Sequence, residues 1–167
     1  MSGGLDGLRE KLAAFLREQG LQAMTDWPVE PRELLDGPVA VVSLQGCRAG
    51  PAGFQHYLGE RYDREREQWV EVYGQKGQLT FGLDLYAPPQ LGEAAMQAAL
   101  DQLAGACAGA GPVGLDIREF SCGETGYDRD SRLLKRPAQA VCTACLYAVT
   151  EPSGTFLDFE VRGESHP

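Results

Sequence analysis

Leu5, Leu8, Leu12, Phe15 and Leu16 recur at three- and four-residue spacing, with Arg9, Lys11, Arg17 and Glu18 between them. Gly20 follows as a stop, so the pattern predicts an amphipathic first helix. "MTDWPVEPRELLDG" holds two prolines among polar residues and reads as a connection. "PVAVVSLQG", residues 38–46, is almost continuously apolar, as in a central strand buried on both faces. From Trp69 to Ala87 the period becomes two: Leu79, Phe81, Leu83 and Leu85 fall on one face, Thr80, Asp84 and Tyr86 on the other. Gly74 and Gly77 would allow a turn or bulge between two pairing segments, and Pro88 and Pro89 end the run.

Met96, Ala99, Leu100, Leu103 and Cys107 then form one helical stripe, closed by Gly109, Gly111 and Pro112. Val113, Leu115 and Ile117 alternate as a strand, residues 140–149 form another, and Leu157, Phe159 and Val161 alternate in a last one. The expected class is α+β: one mixed or antiparallel sheet of about four to six strands packed against two main helices, within a single domain over 1–167. Residues 47–78 lack a clean period and are dense in charge from Glu60 to Glu67, which predicts an extended arm or hairpin. There is no internal repeat and no low-complexity tract.

Composition narrows the class. Apolar residues at 43% and charged residues at 23% are globular values. A net charge of -9 opposes a sequence-independent grip on nucleic acid, which needs clustered cations. Asp6 and Glu10 stand where a signal peptide would be apolar, so no secretion is expected. The uncharged stretches 102–115 and 137–150 are 14 residues each, short of a membrane span of about 20. Five cysteines, an odd number, are expected as reduced thiols.

The chemical motifs weaken under their own geometry. Cys142-x-x-Cys145 sits in "AVCTACLYAV", a strand-type context; positions three apart on a strand point to opposite faces, so a shared metal or disulfide is not expected. Cys47 and His56 form the one candidate nucleophile and base, without a signature around the cysteine, and His166 is penultimate. "GAGPVG", residues 109–114, follows a helix and precedes a strand, the reverse of a dinucleotide-binding loop. Asp128 and Asp130 suggest calcium, but the fifth loop position would be Arg132 and no glycine follows. No catalytic residue, metal or cofactor is expected.

Two segments mix alternating charge with aromatics, "YLGERYDREREQW" at 57–69 and "GYDRDSRLLKR" at 126–136. Solvated loops would account for them. The functional expectation is a subunit or partner interface carried by Tyr57, Arg61, Tyr62, Arg64, Arg66, Trp69, Tyr127, Asp128, Arg129, Asp130 and Arg132, because Tyr, Trp and Arg dominate protein contacts. The arm and the segment 122–137 are expected to stay out of the packed core.

The order of elements, with "GPVAVVSLQG", "LTFGLDLYAPP" and "GYDRDSRLLKRPAQAVCTACLYAV", resembles the tail terminator, or tail-completion, proteins of long-tailed bacteriophages. The likeness covers roughly two thirds of the chain; the longer excursion at 47–78 and the extra terminal strand depart from the small members. It implies a subunit that forms a ring, by similarity a hexamer, on the tail tube, ending tube growth and offering a surface to the head-tail connector. Its partners would be itself, the tail tube protein and connector proteins, with neither membrane nor specific nucleic-acid binding. Its location would be the bacterial cytoplasm during assembly and then the virion tail. A neck or head-tail connector subunit and a small enzyme are the alternatives.

Overall fold

In this computed structural model, which describes residues 4–26, 36–51, 57–109, 111–150, 152 and 156–162, the elements run α1 (Leu5–Glu18), β1 (Gln22–Met24), β2 (Val39–Pro51), β3 (Tyr57–Asp63) and β4 (Gln68–Ala87). They continue as α2 (Gly92–Ala108), β5 (Asp116–Cys122), β6 (Gly126–Asp128), β7 (Leu133–Arg136), β8 (Ala138–Thr150) and β9 (Phe156–Arg162). All nine strands among the described residues join one mixed sheet, in which β1 is parallel to β2 and the other pairings are antiparallel. The α+β class and two helices agree with the sequence; nine strands replace the expected four to six. The additional ones are too short for a period to show, as in β1, β6 and β7, or too charged, as in β3.

β4 is the axis of the molecule. Its 20 residues extend over about 65 Å at the usual strand rise. Along one edge it pairs with β2 through Gln75–Tyr86 and with β3 through Gln68–Tyr73. Along the other it pairs with β7 through Leu85–Ala87 and with β8 through Glu71–Gly82. The far edge of β8 carries β5 and then β9. No turn occurs at Gly74 or Gly77, contrary to the sequence expectation. Gly77 is there for space: a Cβ would lie 2.7 Å from Leu146 Cδ1 on the neighbouring strand.

The helices cover one face of half of this sheet, α1 against β1 and β2, α2 against β4 and β5. Leu8, Leu12, Ala13 and Leu16 of α1 and Met96, Leu100 and Leu103 of α2 meet Leu79, Phe81, Leu83 and Leu85 of β4, all nearly or fully buried. α1 stops as Gly20 was expected to stop it. Gly20 adopts φ +91°, its N–H bonds to Arg17 O, and Leu21 N–H bonds to Leu16 O at 3.0 Å, a Schellman closure with Leu16 and Leu21 both in the core.

Beyond Leu79 the sheet continues without core side chains from the helices as a four-stranded extension of β3, the first part of β4, the end of β8, and β9. The arm expected at 47–78 is thus half of a larger projection. The terminal strand β9 is its other half. Val70 and Val149 are fully buried within it, so the arm is not wholly outside the packed parts.

Four of the strands with an open edge also carry one extra residue, whereas the edge strands β1 and β6 are only three residues long and pair without a shift. The register shifts across Gln45 in β2, Leu58 in β3, Arg118 in β5 and Leu157 in β9, whereas the 12 pairs between β4 and β8 run without a break. A bulge disrupts the ladder and twists the strand, which makes an exposed edge a poor template for a foreign strand.

Candidate functional site

The two charge-rich segments fold as the same turn. In the arm, Asp63 pairs with Gln68 and residues 64–67 reverse the chain; in the β6–β7 hairpin, Asp128 pairs with Leu133 around residues 129–132. Asp63 accepts the backbone N–H of Glu65 at 3.0 Å and of Arg66 at 3.2 Å, and the Arg66 guanidinium binds its other oxygen. Asp128 accepts the Ser131 hydroxyl at 2.6 Å together with the backbone N–H groups of Asp130 and Ser131. Each turn ends on a non-glycine residue in the left-handed region, Glu67 at φ 52° and Arg132 at φ 58°. Aspartate begins such turns well because its side chain satisfies N–H groups two and three residues on.

These bonds hold both carboxyls below the usual carboxylate range, Asp63 chiefly through the Arg66 side chain and Asp128 chiefly through the Ser131 hydroxyl. The shared sequence is short: Tyr-Asp-Arg followed by an acid, at 62–65 and 127–130. Both segments were legible as charged and aromatic. Their common fold was not, because the left-handed positions are held by Glu and Arg instead of the glycine that would have announced them.

Each turn presents aromatic surface. Tyr62 is 50% exposed and packs edge-on against Trp69, itself 57% exposed, with ring centroids 5.8 Å apart. Tyr127 is 57% exposed on the other turn. Arg64, Arg66, Arg129, Asp130 and Arg132 are exposed, while Arg61 is half-buried on the opposite face of β3 from Tyr62. Tyr57 begins β3, and its side chain lies outside the described residues.

The candidate residues are not one cluster. The arm turn lies at the start of β4 and the second hairpin at its end, so about 55 Å of strand separates Trp69 from Tyr86. The two ends also differ in charge. Residues 60–71 hold five carboxylates and three arginines; residues 126–136 hold four cations and two carboxylates.

The second segment departs from expectation in one respect: it is partly packed. Leu133 is 4% exposed and forms a small cluster with Val39 and Tyr86 on the sheet face away from the helices, and Ser131 is 8% exposed. Lys135 lies over the Tyr86 ring at 5.6 Å and 3.9 Å from Asp84. Arg136 donates to Gly123 O and Gln97 Oε1. Leu133 and Leu134, apolar within a charged run, anchor the hairpin while its turn stays outside.

The cysteines fall as strand geometry requires. Cys142 is fully buried opposite Leu79 and Ile117 on the helix face, and Cys145 pairs with Lys76 and Arg162 on the other. Burial, then the neighbouring Cys107 and Asp116, pushes the Cys142 thiol up to about 12; burial pushes Cys107 up to about 11. Thiols so protonated are poor nucleophiles. Among the described residues, no three of His, Cys, Asp and Glu converge as metal ligands would. His56 and His166 lie outside the described residues, so the Cys47–His56 pair cannot be placed.

Among the described residues the surface has several shallow clefts. One of about 420 Å³ joins Arg48, Lys76, Gln78 and Thr143, and one of about 380 Å³ lies between the end of α1 and α2, lined by Leu21, Pro38, Ala99 and Gln102; neither of these two brings an acid together with a base among its described lining residues. A smaller one, of about 240 Å³, lies beside the second turn, where Glu124, Tyr127, Asp128 and Lys135 line it. Compared with known protein families and with curated proteins, the chain matches none.

Proposed function

We propose that this protein is a structural subunit of a bacteriophage or prophage tail, forming a ring that caps the tail tube, ends its polymerisation and offers a surface for joining the head. The observation that carries it is the placement of two matched, aromatic turns, within segments of opposite net charge, at the two ends of one long strand. A ring subunit needs two different outward surfaces held at a fixed separation, and a hydrogen-bonded β4 provides that spacing. The three segments with the family resemblance support it further by lying side by side: "GPVAVVSLQG" opens β2, "LTFGLDLYAPP" closes β4, and the last spans β6 to β8 on the other edge of β4.

Deleting the gene from a phage or inducible prophage that carries it tests the function. Without a terminator, electron micrographs of lysates should show heads separate from tails, and tails longer than normal. Tails of normal, uniform length would refute tail termination. If such tails were also unjoined to heads, the subunit would belong to the neck instead.

A further inference from the structure

We infer that the two turns are the two halves of one head-to-tail contact between copies of this chain: Arg129 and Arg132 of one copy enter the face formed by Glu60, Tyr62, Trp69 and Glu71 of the next. The contact gives the proposed ring its interface and rests on that reading for its purpose, though not for its test.

Three features point to it. Glu60 and Glu71 are directly opposed in register and lie on the same face as the directly opposed Tyr62 and Trp69. Like charges facing each other across two strands repel. An arginine placed between the two carboxylates removes that repulsion and can lie over the exposed Trp69 ring, the better of the neutral partners for a cation. The second feature is the supply of such arginines: Arg129 and Arg132 are exposed on the turn, within a segment, residues 126–136, that holds four cations and two carboxylates. The third is position. With about 55 Å of strand between them, the acidic face and the turn arginines of one copy cannot meet each other along β4 and can meet only those of other copies.

The alternative route to assembly, strand pairing at an open edge, is opposed by the bulges in β2, β3, β5 and β9 and by the three-residue length of the edge strands β1 and β6. A contact between two different surfaces is heterologous and closes into a ring when its rotation permits.

The test uses two variants of the full chain, Glu60→Arg with Glu67→Arg, and Arg129→Glu with Arg132→Glu. Glu67 and Arg132 occupy corresponding left-handed positions, so each change there introduces a residue that the other turn already accommodates. Thermal melts should therefore stay near wild type. In sedimentation velocity the wild type should assemble, each variant alone should remain monomeric, and the equimolar mixture should regain assemblies holding both in equal numbers by native mass spectrometry. As a check that leaves charge untouched, Trp69→Ala should weaken wild-type association by about tenfold or more. A variant that assembles alone like the wild type, a mixture that stays monomeric, or a wild type that never associates would each overturn the contact. The tail phenotype of the gene deletion is read separately, so either conclusion can fail without the other.

Discussion

Cys107 and Cys142 illustrate how a single buried group ties stability to pH. An unfolded thiol titrates near 8.5. In the folded chain these two hold their protons up to about 11 and about 12. The folded state therefore keeps protons that the unfolded state releases; the stability they allow is full below pH about 8.5 and declines as pH rises towards the folded values. Melting temperature should fall between those limits, and Cys107→Ala with Cys142→Ala should flatten that fall. An identical slope in the variant would show that other groups govern alkaline unfolding. Phe81 makes the corresponding case for packing. It is fully buried at the centre of β4 beneath α2, so Phe81→Ala should cost about 3–5 kcal/mol in denaturant unfolding. A cost within error of zero would mean that this face of β4 does not point into the core.

At the scale of the element, β4 is twice the length that its apolar pattern marks. Leu79, Phe81, Leu83 and Leu85 define its second half by period two, whereas its first half, "QWVEVYGQKG", alternates without a strong apolar face. That half is strand because β3 and β8 satisfy its backbone on both sides. Gly77 is where β8 crowds it: Leu146 lies where a Cβ would go. Gly77→Ala should destabilise by about 1–3 kcal/mol, as overpacking does. Adding Leu146→Ala should cost less than that substitution costs alone, since it vacates the space. Strict additivity of the two losses in urea titrations would place the strain elsewhere.

The whole molecule divides into a helix-covered half and a projecting half that share β4 and β8. Leu79 to Leu85 are sealed under two helices, while β3 and the start of β4 lean on neighbouring strands, with Val70 and Val149 as their buried apolar support. Local opening should follow this division. In the monomer, amides of residues 57–63 and 68–73 should exchange with deuterium faster than those of 79–85. Assembly should raise protection in the arm and at residues 126–133 together, because one contact covers both. Protection that is equally high in the isolated subunit would place the arm within the rigid body; protection that rises at only one end would separate the two surfaces.

The sequence by itself determined what local periodicity and backbone chemistry can encode. Those features were the two helices and their buried stripes, the glycine stop after α1, the inward face of β4, the opposite faces of Cys142 and Cys145, and the two segments too charged to form a core. Each depends on residues a few positions apart. Only the tertiary structure decided what depends on distant partners. It joined β3 and β9 into one projection, turned Gly77 from an expected break into a point of close approach, and drew Leu133 from a charged run into contact with Val39 and Tyr86. It also gave 62–68 and 127–133 the same turn and set them at opposite ends of β4. Strand pairing is made by backbone N–H and C=O groups that every residue but proline carries, so side-chain pattern marks a strand's faces while saying little about which strand lies beside it.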